Sequence, residues 1–310
     1  MNTTITSKGL KGVWGRGPWR WWDEGLRKLW DLCAGAGYKS IYRVHVEKVH
    51  KDSLTGLFLP CPNGVYLDAG CGAGNLFPDE AEKIQANEVN AIDSSEGMLR
   101  YAEIEAERLQ RNVKTRFSVR YGDLNQSLDW PTDSFDGIVC NLVVIHLTAG
   151  WKKSLQEFNR VIKPGGYLYL GTTLKNWGFF SVLWKHAPAE FFREPLTSLL
   201  GMRFWLGITV ASIWAKIKGA QTPTREELVS FLESLGFKEV EIVPTYWGGG
   251  IALRARSGKA SFNELEGGFL FRYNEIIIQN VYLYSENIDI IFSYNKFYFK
   301  FCYFPTKQKK

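Results

Sequence analysis

The chain has little sulfur and few imidazoles: five cysteines, three methionines and four histidines in 310 residues. The cysteines, Cys33, Cys61, Cys71, Cys140 and Cys302, are odd in number and scattered. They form no C-x-x-C pair, no zinc spacing and no C-x3-C-x2-C radical-cluster motif. That argues against a disulfide framework, a structural zinc site and an iron–sulfur radical enzyme, and it predicts reduced thiols in a cytoplasmic protein. Long hydrophobic runs are also missing. The most apolar stretch, residues 199–215, is interrupted by Arg203 and falls short of the roughly 20 apolar residues a spanning helix needs. No apolar segment followed by a small-residue cleavage site opens the chain, so no secretory signal is expected. Charge of one sign is scarce too: the formal net charge of +6 is modest for this length and calls for no nucleic-acid partner.

What is present divides the chain unevenly. Residues 1–22 hold four basic residues, no acidic ones, and Trp14, Trp19, Trp21 and Trp22, a composition suited to an irregular arm at a membrane surface or on the domain itself. Residues 23–59 are expected to form N-terminal helices, with Leu26, Leu29, Trp30 and Cys33 at helical spacing. From 60 to 257 strand-like and helix-like stretches alternate: "GVYLDAG", "NLFPDEAEKIQA", "EVNAID", "SEGMLRYAEIEAERLQRN", "KTRFSVRYGD", "FDGIVCNL", "WKKSLQEFNRVI" and "GYLYLGTT". Ser94 or Ser95 is the expected cap of the long helix, and "KPGG" the stop of the later one. Such alternation predicts parallel βαβ units in a sheet covered on both faces. An apolar insertion (175–220) follows, then a helix capped by Thr222 or Thr224 and ending at Gly236. "KEVEIVP" and "GIALRARS", joined by the Gly-rich "TYWGGG", read as an antiparallel hairpin. Residues 258–310, crowded with Phe, Tyr, Ile, Asn and Lys, are either an accessory strand segment or an appended, aggregation-prone tail.

The stretch "YLDAGCGAGN" (66–75) raises the functional question. A glycine loop after the first strand of an open α/β sheet sits where ligands bind, and Gly70, Gly72 and Gly74 let a ligand approach the amides opening the next helix. No G-K-[ST] follows, which excludes a P-loop. The nicotinamide pattern G-x-G-x-x-G fails because its last position is Asn75. A carboxylate two residues before the glycines, Asp68, would repel phosphate and attract a cation such as an ammonium or sulfonium. Asp93 ends the second strand, 25 residues beyond Asp68, where a carboxylate can accept both ribose hydroxyls. Asp123 ends the third, in reach of an exocyclic amino group.

"VYLDAGCGAGN", "NAIDSSEGML", "YGDLNQ", "FDGIVCNLVVIHL" and "EFNRVIKPGGYLYLGT" resemble, in order, the motifs of class I S-adenosylmethionine-dependent methyltransferases. The resemblance is strongest to the type 11, ubiquinone/menaquinone-biosynthesis-like branch. It implies a doubly wound, Rossmann-like α/β fold with a seven-stranded sheet of order 3-2-1-4-5-7-6, strand 7 antiparallel. It further implies that Asp68, Gly70 and Gly72 hold the methionine portion of the donor and Asp93 the ribose. Met98 would pack on the adenine, Asp123 and the Leu124 backbone would meet its edge, and Asn141 would face the donor methyl. Each position also has a structural reading: glycines for helix–strand packing, Asp93 as a helix cap, Asp123 as a turn residue, Met98 as core.

Methyl transfer from a sulfonium is an in-line displacement that asks for alignment and exclusion of water, with a base only for a protic acceptor. The fourth strand ends "CNLVVIHL", without carboxylates, so no metal is expected. The [DN]-P-P-[YFW] motif of base and amide methylation is absent, since Leu142 and Val143 follow Asn141. His146 matches a histidine common after strand four in the family and is the candidate base, or else a structural histidine. Tyr38 and Tyr42, in the N-terminal helices, are candidates for acceptor contact or gating. The apolar insertion and the basic, Trp-rich arm together point to a hydrophobic acceptor (quinone, lipid or terpenoid), reached in the cytoplasm or at a membrane surface. A catalytically silent cofactor-binding scaffold and a nicotinamide-dependent oxidoreductase are the alternatives.

Overall fold

Seven strands form one sheet in a computed structural model that describes residues 45–175, 217 and 219–259. They are β1 (Val65–Ala69), β2 (Glu88–Asp93), β3 (Arg116–Tyr121), β4 (Phe135–Asn141), β5 (Ile162–Thr173), β6 (Phe237–Thr245) and β7 (Gly250–Ser257). Their order is β3-β2-β1-β4-β5-β7-β6. The pairs among β1 to β5 are parallel, whereas β7 runs antiparallel to both β5 and β6. The expected sheet order and the reversed seventh strand are therefore both observed. The hairpin link is a tight 3-10 turn, Tyr246–Gly248, with Trp247 in left-handed backbone (φ 53°).

Alternation along each strand sends neighbouring side chains to opposite faces, and both faces are buried. Leu67, Ile138, Cys140, Leu168 and Leu170 join one core cluster with Leu155 and Phe158 of helix α4 (Trp151–Val161) and Leu228 and Leu232 of α5 (Arg225–Ser234). Tyr66, Val139 and Tyr169 join another with Leu54 of α1 (His45–Thr55), Phe77 of α2 (Phe77–Asp79), and Leu99 and Ala102 of α3 (Glu96–Gln110). The edge strand β6 carries Lys238, Glu239 and Glu241, charges that discourage edge-to-edge pairing.

Local chemistry explains the element ends. Ser95 caps α3, its side chain accepting from the Met98 amide. Thr224 and Glu227 form a reciprocal capping box at the start of α5, satisfying two otherwise orphan groups. On α4, Trp151, Ser154, Leu155, Phe158 and Val161 are buried, the spacing of a core-facing stripe. Two elements differ from the sequence expectation. The segment after the glycine loop is shorter than expected, the three-residue α2 continuing as a π-helical turn, Glu80–Ile84, that ends in a left-handed Gln85 (φ 58°). Strand β5 begins at Ile162, so "KPGG" is part of the strand. There a register shift separates the pairs Phe135–Ile162 and Gly137–Tyr167, and Gly165 takes φ 74°. Asp136 fixes the irregular segment, bonding Lys163 Nζ at 2.9 Å and the Val65 amide at 2.8 Å.

The 1–22 arm, the helical positions at 26–33, Tyr38 and Tyr42, most of the 175–220 insertion and nearly all of the 258–310 tail lie outside the described residues. The two ends of the insertion are described. Lys175 donates its amide to the Pro223 carbonyl (2.9 Å), and Leu174 to that of Gly249 (2.8 Å), so the segment leaves and rejoins the sheet at the carboxyl end of β5. Among the described residues no helix is long and apolar enough to cross a membrane.

Candidate cofactor site at the β1–β4 switch point

Strand order reverses between β1 and β4, and crevices at such a switch point, beyond the carboxyl ends of the strands, receive ligands in open α/β sheets. The glycine loop occupies that point. Gly70 and Cys71 both donate their amides to the Ile92 carbonyl, at 2.8 and 2.9 Å, tying the loop to the end of β2. Gly70, Gly72 and Gly74 all have positive φ, at 84°, 54° and 73°, a region L side chains seldom adopt. A Cβ on Gly70 would lie 2.3 Å from Val143 Cγ2, and one on Gly74 would lie 2.7 Å from the Phe77 ring. Gly74 thus serves packing against α2, whereas Gly70 lets the loop pass the segment after β4.

Three carboxyls converge behind the loop. Asp93 is fixed by two backbone amides: Gly72 donates to Oδ2 at 2.9 Å and Ser95 to Oδ1 at 2.8 Å. The cap of α3 is therefore Ser95, and Asp93 instead links the glycine loop to the helix start. Asp68 is 1% exposed and Glu80, on the π-helical turn, is fully buried. Asp68 Oδ2 and both Glu80 oxygens have no hydrogen-bond partner of good geometry. Burial first, then the neighbouring Asp93 carboxylate, raises the Asp68 pKa to about 8. Burial and the adjacent Asp68 push Glu80 up as well, and burial with the same carboxyls pushes up the Cys71 thiol. Glu80 is not among the residues the sequence singles out, where it falls within the helical stretch "NLFPDEAEKIQA". Only the loop's return path buries it.

The remaining predicted residues line up along the same strand ends. Met98 (2% exposed) packs with Ala73 of the loop and Tyr101. Gly122 donates its amide to the Asp93 carbonyl at 3.1 Å, bringing the β3 terminus alongside. Asp123 there closes a turn: Oδ1 accepts from the Asn125 amide and side chain, both 2.9 Å, and Oδ2 from Gln126 at 3.1 Å. Leu124 is buried, and its carbonyl accepts from Ser154 Oγ at 3.1 Å. Asn141 is buried at the end of β4, two residues beyond Val139, which pairs with Asp68. His146 closes a 3-10 turn, Val144–His146, just after β4. It keeps some surface exposure, yet its enclosed ring is pushed down to a pKa of about 4 by burial. Leu142, between Asn141 and this turn, has φ 58°, a strained conformation of the kind that gathers at functional sites. Among the described residues no three His, Cys, Asp or Glu side chains come together as a metal site.

The sheet order, the reversed β7 and the glycine loop at the β1–β4 switch point define a class I methyltransferase fold. Residues 67–166 match the family described as "Methyltransferase domain". The chain is 26% identical to a demethylmenaquinone methyltransferase of Leptospira interrogans over 176 residues, 56% of this chain and 68% of that one. It is 25% identical to the mitochondrial ubiquinone biosynthesis O-methyltransferase of Dictyostelium discoideum over 164 residues, half of each chain. Among solved structures it superposes with TM-score 0.51 on magnesium protoporphyrin IX methyltransferase of Synechocystis PCC 6803 with bound SAH, at 18% identity, covering 76% of this chain and 99% of that one. The chain is an S-adenosylmethionine-dependent methyltransferase.

Proposed function

We propose that the chain methylates a small hydrophobic acceptor of quinone, lipid or terpenoid type. On the donor side the reading is carried by Asp68, a buried carboxyl at the glycine loop whose polar neighbours are the carboxyls of Glu80 and Asp93. Such a group suits a ligand that brings a cation. Asp68 holds the ammonium of the methionine portion, with the Gly70 and Gly72 backbone beside it. A carboxylate offers about four lone-pair positions, and Asp93, at the end of β2 beside the glycine loop, takes the ribose hydroxyls. By the same count Asp123 keeps one position for the adenine amino group, beside the Leu124 backbone, and Met98 packs on the ring. Bound S-adenosylmethionine supplies an electrophilic methyl carbon on a sulfonium. Asn141 sits nearest that end of the site, and His146, neutral above about pH 4, takes the proton of a protic acceptor.

The acceptor class is supported by the relatives named for demethylmenaquinone and ubiquinone biosynthesis. It is supported too by the composition of residues 175–220, whose ends meet at the carboxyl end of β5. Tyr38 and Tyr42 contact or gate the acceptor, and the 1–22 arm brings the protein to a membrane surface. The test is mass spectrometry of quinone- and lipid-containing extracts incubated with the full chain and isotopically labelled donor. Labelled methyl in a hydrophobic product is the expected result. Donor binding with label in no quinone or lipid overturns the acceptor assignment and favours a silent cofactor-binding scaffold.

A further inference from the structure

The carboxyls around the glycine loop are of two kinds, divided by their partners. Asp93 accepts the Gly72 and Ser95 amides at 2.9 and 2.8 Å. Asp79 of α2 is bridged by Lys51 of α1 at 2.6 Å and by Lys83 at 2.9 Å. Both have the donors that an ionised carboxylate needs. Asp68 and Glu80 do not. No amide, hydroxyl or cation among the described residues bonds Asp68 Oδ2 or either Glu80 oxygen. What these two side chains meet is each other. Burial, then the neighbouring carboxyls, pushes up the thiols of Cys71 and Cys140 beside them, so neither thiol supplies a charge.

Glu80 is carried inward by the π-helical turn. The Gln85 amide donates to the Glu80 carbonyl at 3.0 Å, and Glu80 and Ile84 are both buried. Such turns are frequent at functional sites. Two ionised carboxylates side by side accept only, lack water and repel one another, so a buried pair of this kind retains a proton. One proton turns two acceptors into a donor and an acceptor, and a hydrogen bond then joins them.

We propose that Glu80 is a positioning residue for donor binding: as a neutral acid it donates its O–H to Asp68 Oδ2 and so favours the ionised Asp68 that the donor ammonium meets. The proposal rests on the donor-site reading above, in which Asp68 takes that ammonium. With the charge on Asp68, the proton retained by the pair sits on Glu80, whose other carboxyl neighbour is the ion-paired Asp79. A hydrogen bond from a neutral acid to a carboxylate is of the strong, charge-assisted kind, and it adds no second charge to the site. On donor binding Asp68 gives its proton to solvent and Glu80 keeps its own, so one ammonium faces one carboxylate.

Two substitutions separate positioning from packing. Glu80→Gln keeps a donor in the form of a carboxamide, whereas Glu80→Leu removes it. Calorimetric titration of the full chain with S-adenosylhomocysteine, from about pH 7 to about pH 9.5, gives each variant's Kd relative to wild type, a ratio in which titration of the ligand cancels. Wild-type affinity follows the ionised fraction of Asp68, which rises through about pH 8. Without the bond from Glu80 that rise is displaced upward. Glu80→Leu is therefore expected to bind about tenfold or more weakly near pH 7 and to recover to within a few fold by about pH 9.5. Glu80→Gln is expected to stay within about threefold throughout. A Glu80→Leu loss that is equal at every pH overturns the proposal and leaves packing alone. Glu80→Gln binding as weakly as Glu80→Leu overturns it as well, because the Glu80 charge would then be the group required. If Glu80→Leu does not fold, infrared spectra of the ligand-bound wild type at about pH 9 decide, since ordinary carboxyls and Glu47, with its pKa of about 7, are ionised there. A protonated-carboxyl band that is lost in Glu80→Gln supports the proposal, and its absence from the wild type overturns it. Asp68→Asn binding as tightly as wild type is a different outcome, in which the donor-site reading itself fails.

Discussion

Asp68 and Glu80 are two buried carboxyls beside one another, with Asp93 near the first and Asp79 near the second, and their titration makes a prediction at the scale of single residues. The folded-state pKa of Asp68, about 8, lies above its ordinary value of 3.8. The native protein thus binds more protons than the unfolded chain between those limits, and stability falls as pH rises from about 4 through about 8. A cation held at Asp68, as proposed for the donor's ammonium, reverses the preference and ionises it, so donor binding near pH 7 should release a proton. Calorimetry in buffers of different ionisation enthalpy should show a buffer-dependent enthalpy in the wild type and none in Asp68→Asn. The same variant should bind the donor about 10- to 100-fold more weakly, the range of a charge-assisted hydrogen bond. Gly70→Ala tests the loop backbone. Its Cβ would combine positive φ with the 2.3 Å approach to Val143, so urea denaturation should show a loss of about 2 to 4 kcal/mol. A loss under about 0.5 kcal/mol would mean the loop shifts freely.

At the scale of elements, α1 is joined to the sheet by polar contacts as well as by Leu54. Burial raises Glu47 to a pKa of about 7 from 4.5, against the opposing bond from Tyr246. The sign is the same as for Asp68: the contribution is intact below about pH 4.5 and lost as pH rises through 7. Glu47→Gln keeps an acceptor for Tyr246 and cannot ionise. Thermal unfolding should therefore find it more stable than wild type above pH 7.5, by on the order of 2 to 3 kcal/mol, and similar at pH 4.5. A variant less stable at both pH values would show that the carboxylate itself holds α1. These element contacts mark what could be read along the chain. Strand alternation, the Thr224–Glu227 box and the Ser95 cap are local patterns, and the sequence displays them. The bulged start of β5 and the π-helical turn before Gln85 are not, because each packs on partners far along the chain: Asp136 for Lys163, and Phe117, stacked on Phe77, for the turn.

For the molecule as a whole, the proposed donor site draws on the ends of four parallel strands, so a ligand bound there should stabilise all of it. S-adenosylhomocysteine at about a hundredfold excess over its Kd should raise stability by about 2.7 kcal/mol, visible as a rise in Tm by scanning calorimetry. An unchanged Tm alongside measurable binding would place the ligand elsewhere. Vesicle flotation of the chain without residues 1–22 addresses the arm in the same way, since membrane association that survives the deletion removes the arm's role.

Apolar runs at strand spacing, alternating with helical stretches, marked a buried parallel sheet, and the resemblance of the ordered motifs to class I methyltransferases implied its strand order. The same ordered motifs implied the donor class, since the glycine stretch, "NAIDSSEGML" and "YGDLNQ" follow one another along the chain. Tertiary structure alone decided the polar contacts that join distant segments. Glu80 is buried beside Asp68 by the path of the chain after the glycine loop, and His50 meets Asn141 and Thr245 only across separations of 91 and 195 residues. A linear pattern records periodicity and local caps. A hydrogen bond between buried groups depends on which faces are brought together, and that is a property of packing.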